Sequence, residues 1–293
     1  MNTYRPVSTM LVGRNIVNYK LACTSIGRAA LLVIGLALGP TASAEWQYYL
    51  GAHDLSVPDV DSQTFGINVT FYNDHVTDGG IALDTAVDFF LDHDKDHLDP
   101  DHIPIWWMVD FEAKKSFFEP TPNVTLDWLL DIDTKANTVS SVERQIKALP
   151  GIAAEYANAS FDASLKASAG YYFLEIDDDV AKTFGYTRDD FRHSTSAVAL
   201  SADIGMAIAS SGRLSGSLAE WSDGSAWLEK QFLLSMSFDT NLWRPGSKVL
   251  FEAEYTQYNL DHYVPSEPTT SPYSPILPWD DDVLFRLSFV SAF

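Results

Sequence analysis

Cysteine is nearly absent from this chain: Cys23 is the only one. A lone thiol excludes internal disulfides and zinc–thiolate clusters. Basic residues are scarce as well, 19 lysines and arginines against 40 aspartates and glutamates, for a net charge of −21. That balance argues against nucleic acid as a partner. Long apolar runs are missing too. The run Ala29–Leu38, "AALLVIGLAL", has ten residues, too few to cross a bilayer as a helix.

That run sits in an N-terminal segment unlike the rest. Residues 1–44 hold Arg5, Arg14, Lys20 and Arg28 and no acid, then the apolar run, a Gly39-Pro40 break and Ala42-Ser43-Ala44. A basic start, an apolar middle and a small-residue end predict a cleaved export signal over 1–44. The mature chain would then be one domain, 45–293, with no cysteine and a net charge of about −25.

What the mature chain has is period two. In "GGIALDTAVDFFLD", Ile81, Leu83, Thr85, Val87, Phe89 and Leu91 alternate with Ala82, Asp84, Ala86, Asp88, Phe90 and Asp92. "NVTLDWLLDID" sets Val124, Leu126, Trp128, Leu130 and Ile132 against Thr125, Asp127, Leu129, Asp131 and Asp133. Alternation of this kind is the β pattern, because successive side chains point to opposite faces. The segments run to ten residues or more, longer than ordinary strands and long enough for a tilted strand to cross a membrane. Aspartates on the polar face suit a wet interior, where a dry core would make them costly.

About twelve such segments begin near Trp46, Gln63, Ile81, Ile105, Asn123, Gln145, Phe161, Ser194, Leu214, Leu228, Lys248 and Val283. Connections after even strands are mostly short, such as "TDGG" and "NAS". Several after odd strands are long, such as "IDDDVAKTFGYTRDDFRH". Aromatic residues gather at strand ends: Trp106 and Trp107 open the fourth strand, and Phe117 and Phe118 close it. The expected fold is all-β: a transmembrane, antiparallel, up-and-down β-barrel of about twelve strands.

The last strand, "VLFRLSFVSAF", puts Phe285, Leu287, Phe289 and Phe293 on one face, with Ser291 interrupting the pattern. An export signal, long alternating strands and a terminal phenylalanine together resemble the Gram-negative outer-membrane β-barrel proteins. By strand number the chain is similar to the twelve-stranded group, which includes small selective channels and an outer-membrane phospholipase. The resemblance implies an outer-membrane location after export, among lipids and lipopolysaccharide. It also implies that the barrel assembly machinery reads Phe285, Leu287, Phe289 and Phe293.

The lumen face should carry Asp84 and Asp88 from the third strand, Asp110, Glu112 and Lys114 from the fourth, Asp127 and Asp131 from the fifth, and Arg286 from the last. Twelve strands fall between the filled eight-stranded barrel and the open sixteen-stranded porin. The expected function is a porin-like channel for small cationic or neutral solutes through an acidic lumen. The alternative is a non-conducting barrel. Its acids pair with Lys114, Lys166 and Arg286, and it acts through acidic surface loops.

The richest such loop is "LDHDKDHLDPDH", Leu91–His102, with three of the chain's seven histidines. If the strand continues, Asp92, Asp94 and Asp96 line the mouth while His93 and His97 point away. Asp92, Asp94 and Asp96 look like the opening of a calcium loop, but His97 stands at the glycine position and Ile103 at the glutamate position, so this is no EF-hand. Zinc or copper could use His93, His97 and His102 with an aspartate, in a spacing that matches no known motif. The plain alternative is a solvated loop with no cofactor. Such loops could share divalent ions with lipopolysaccharide phosphates. No enzyme is expected: His193-Ser194 point to opposite faces and His262 sits in no lipase-type motif.

Overall fold

A computed structural model describes residues 45–58, 62–93, 105–136, 142–176, 191–209, 211–240, 244–263 and 280–292. The strands are β1 (Glu45–Val57), β2 (Ser62–Val76), β3 (Ala82–Asp92), β4 (Ile105–Thr121), β5 (Val124–Ala136), β6 (Val142–Ala157), β7 (Phe161–Ile176), β8 (Arg192–Ala209), β9 (Gly212–Ser222), β10 (Trp227–Asp239), β11 (Lys248–Tyr258) and β12 (Asp281–Ala292). All lie within three residues of the starts expected from alternation, with the largest difference at β6. Each pairs antiparallel with its sequence neighbours, and β12 closes on β1, so the twelve form one closed barrel. Closure leaves no sheet edge with unpaired backbone groups.

The tight turns have local causes. Between β6 and β7, the Asn158 side-chain oxygen accepts from the Ser160 and Phe161 amides at 2.9 and 3.0 Å. Between β9 and β10, Asp223 accepts from Ser225 and Ala226 at 2.7 and 2.8 Å, and Gly224 takes φ of 90°, which a side chain would resist. The late start expected for β6 has a cause too. The β6–β7 register shifts between Val142 and Arg144, so the alternation is broken within the first residues of the strand.

Register fixes which side chains share the lumen. Asp84 sits opposite Glu112, Glu112 opposite Asp131, and Asp110 opposite Asp133. The other face is apolar and exposed: Leu165 at 66% and Leu200 at 67%, with Ile67, Phe89, Trp128, Phe232 and Phe285 around the rest of the wall. An apolar exterior on a closed barrel with a charged interior is the arrangement of a transmembrane barrel in lipid. The chain is therefore a barrel of outer-membrane type.

Two features differ from expectation. Trp106 does not join an outer aromatic belt. It points inward, is 1% exposed and stacks on Phe90 with ring centroids 3.7 Å apart. The lumen is also not polar throughout. Near the ends of the strands away from the tight turns, Leu55, Phe90, Trp106, Met108 and Leu284 form one buried apolar cluster. Leu174, Ile176, Phe191, Trp221, Leu228, Tyr258 and Tyr263 belong to a second. Alternation assigns a face to each residue but does not say that two inward apolar residues will meet across a closed barrel.

The second cluster depends on strand length. β9 ends at Ser222, opposite Val198, while β8 continues to Arg192. A single 3-10 turn, Leu260–Tyr263, follows β11. Asn259 just before it is held by Leu228 O and Trp227 O at 2.9 and 2.7 Å. The Tyr263 hydroxyl reaches Leu174 O of β7 at 3.2 Å. The turn thus fills the notch above the β9–β10 hairpin. Burial, with the nearby Glu229 carboxylate, raises the Tyr263 phenol above its ordinary pKa.

Candidate functional site: the charged waist of the lumen

The strands carry their charges inward at fixed levels. At the tight-turn end, Lys114 binds Glu155 at 2.7 Å and Glu112 at 2.9 Å. Lys166 binds Glu112 at 2.6 Å and Asp203 at 3.5 Å, and the Ser164 hydroxyl donates to Asp203 at 2.6 Å. These groups remain partly exposed. Ser168, Ser201, Ser215, Ser217 and Ser235 face the same half-open space. Asp127 accepts from Ser116 at 2.5 Å and Thr125 at 3.0 Å, and Asp84 accepts from the Tyr72 hydroxyl at 2.8 Å. Asp88 accepts from Thr70 and lies 3.4 Å from Arg286, which also meets Glu252 at 3.1 Å.

Further along the barrel axis the contacts span the lumen. Lys135 of β5 lies 3.8 Å from Glu254 and 3.4 Å from the Tyr258 hydroxyl, both on β11. In a ring of twelve strands β5 and β11 are opposite walls. Beside them, Glu229 of β10 collects three donors: Gln145 at 2.5 Å, Lys147 at 3.0 Å and the Tyr172 hydroxyl at 3.2 Å. Lys147 also binds Asp133 at 2.7 Å and sits 3.9 Å over the Trp221 ring. Lys147, Glu229, Gln145 and Tyr172 are each 1% exposed. Burying charges costs several kcal/mol per ion, so such a layer persists only when every group is matched. Here the Glu229 carboxylate is saturated, and the Lys147 ammonium has two acids and an aromatic face.

A second kind of tie skips a strand. His53 of β1 reaches Asp92 of β3 at 2.7 Å by lying over Gly66 of β2, where a Cβ would come within 2.7 Å of the imidazole. Asn68 of β2 reaches Ser288 of β12 at 3.3 Å over Gly51 of β1, where a Cβ would crowd both partners. Glycine at these two positions leaves the space that lets non-adjacent strands bond directly.

The expected lumen acids Asp84, Asp88, Asp110, Glu112, Asp127 and Asp131 all point inward with Lys114 and Arg286. Their pairing is denser than alternation suggests, since Glu112, Lys114, Asp88 and Arg286 all have partners. In the acidic loop, Asp92 and His93 point to opposite faces. Asp92 is buried and takes His53 and the Trp106 indole N–H (3.1 Å) on one oxygen, while His93 stacks on Phe65 outside at 4.9 Å. Asp94, Asp96, His97 and His102 lie outside the described residues. Among the described residues no group of three or more potential ligands is placed to hold a metal ion. Phe285, Leu287 and Phe289 are exposed on the outer wall at 50, 40 and 38%, and Phe293 lies outside the described residues.

Lys135, Lys147 and His53 are waist and wall residues that alternation alone did not single out. Lys135 extends the inward series of Asp127, Asp131 and Asp133 by one step, beyond the end expected for that strand. Lys147 precedes Pro150-Gly151, which interrupts the pattern of β6.

No protein-family model matches the chain, and no curated protein does. Among solved structures it is similar to a KdgM porin in complex with disordered oligogalacturonate, with TM-score 0.45 and 8% identity over 84% of this chain and 99% of that one. It is also similar to a NanC porin, with TM-score 0.48 and 9% identity over 84% of this chain and 98% of that one. A third is an anion-selective porin from Comamonas acidovorans, with TM-score 0.41 and 6% identity over 86% of this chain and 99% of that one. At these identities no residue role transfers.

Proposed function

We propose that this barrel is a porin-like channel in a Gram-negative outer membrane that passes small cationic or neutral solutes and is shut at its waist in the conformation described. The supporting observation is the unequal charge of the inward face. Asp84, Asp110 and Asp131 line one wall, β3 to β5, beyond the acids that Lys114, Lys147, Lys166 and Arg286 engage. A wall of that sign concentrates cations and repels anions. The half-exposed serines at the tight-turn end favour an aqueous path up to the waist. A non-conducting barrel is the second reading, favoured by the 1% exposure of Lys147 and Glu229. No water-wide gap runs beside those side chains.

Single-channel recording of refolded protein in a planar bilayer under a salt gradient separates the two. The channel reading expects a cation-selective current. Its reversal potential should fall toward zero when Asp84, Asp88, Asp127 and Asp131 are changed to asparagine. Absence of current from well-folded protein would remove the channel and leave the surface loops as the functional part.

A further inference from the structure

The surroundings of Lys147 make up a binding site whose occupant is part of the chain. Its ammonium has Asp133 at 2.7 Å, Glu229 at 3.0 Å and the Trp221 ring face at 3.9 Å. Glu229 is held in place from behind by Gln145 and Tyr172, at 2.5 and 3.2 Å. Two carboxylates, one aromatic face and buried supporting donors are what binds a free primary ammonium ion. We propose that Asp133, Glu229 and Trp221 form a recognition site for primary alkylammonium solutes, which the Lys147 side chain fills until a solute displaces it.

The geometry defines the ligand class. Two carboxylates ask for at least two N–H donors, which a primary ammonium supplies and a tetraalkylammonium lacks. The ring face takes the place of a third oxygen. That suits a weakly hydrated organic cation better than sodium, which needs oxygen ligands around it. Access comes through Asp133, whose side chain is 22% exposed while Glu229 is 1% exposed. Exchange does not strand the displaced lysine. Asp110 lies directly opposite Asp133, and Asp131 is the next inward residue along β5, so Lys147 can move to a neighbouring carboxylate. The solute then adds one positive charge to the waist, the displaced lysine pairs with an acid that had no cation, and no buried ion is left unpaired.

The proposal deepens the cationic-solute channel and rests on it for its role, though binding itself can be tested without current. The protein is the refolded barrel carrying Lys147→Met, which empties the site. Melting temperature is measured with methylammonium, sodium or tetramethylammonium chloride at equal ionic strength. Methylammonium alone should raise it, through binding to the folded state. The gain should shrink when Trp221→Leu or Glu229→Gln is added. Methylammonium should bind Lys147→Met about ten-fold or more tightly than it binds wild type, where the tethered lysine competes at high effective concentration. If Lys147→Met does not fold alone, refolding it in methylammonium should rescue it where sodium and tetramethylammonium do not, and equal failure in all three overturns the site. Equal melting temperatures in the three salts, in a folded variant, overturn the site. A methylammonium effect with no wild-type current keeps the site and removes the channel. Current without that effect keeps the channel and removes the site.

Discussion

Glu229→Gln is the sharpest perturbation of the waist. Glu229 is 1% exposed and accepts from Gln145, Lys147 and Tyr172. Glutamine has nearly the same shape but only one acceptor oxygen. If that oxygen keeps Gln145 and Tyr172, the new NH2 faces the Lys147 ammonium, donor against donor. If it faces Lys147, two other donors lose their partner. Either way a charge-assisted bond worth about 1.5–3 kcal/mol is lost. Lys147 still has Asp133 at 2.7 Å, so the cost stays at or below the about 3–5 kcal/mol of a fully broken buried pair. A loss of about 3 kcal/mol corresponds to a melting temperature about 6–12 °C lower for a domain of this size. The assay is thermal unfolding of refolded protein in detergent, with Glu155→Gln as comparison. The Glu155 side chain is 31% exposed, and Lys114 keeps Glu112 without it, so that change should cost about 0–1 kcal/mol. A Glu229→Gln shift no larger than that of Glu155→Gln would refute the tie across the lumen. Loosening the waist should also raise single-channel conductance.

Other outcomes follow from the wall and the ends of the strands. Gly66→Ala puts a Cβ against Leu91 O and the His53 ring, and should cost about 1–3 kcal/mol in urea unfolding. A variant as stable as wild type would show that His53 need not cross Gly66. Leu165→Arg, on the exposed outer face, should destabilise the folded barrel in lipid by up to about 2–4 kcal/mol, according to its depth. A neutral result would argue that lipid does not cover that face. Deleting Phe293 should lower the fraction of protein that reaches a protease-resistant membrane form. Unchanged yield would remove the terminal strand as an assembly signal. Chelation should leave the melting temperature of wild type unchanged, and a drop would point to divalent ions in the acidic outer loops.

The barrel was legible because its signals are local. Alternation at Ile81–Asp92 and Val124–Asp133 reports a face at every residue, and turn residues such as Asn158 and Gly224 mark where it stops. Strand number and inward parity follow from those two observations, and the terminal aromatic strand from the last eleven residues. β6 was the least legible strand because Pro150-Gly151 breaks its pattern while the neighbouring strands hold the register. Trp106 and Trp107 put a tryptophan on each face of one strand end, and only the fold assigns each to a side.

What sequence alone determined here is therefore the alternation, the strands and which residues of each strand share a face. What only tertiary structure decided is who meets whom inside. Lys135 and Glu254 are 119 residues apart, and Lys147 and Glu229 are 82 apart. Nothing in their own segments couples them. They meet because the barrel closes β12 onto β1 and its stagger sets which level of one wall faces which level of the other. The waist, its saturated carboxylate and the caged ammonium are consequences of that closure.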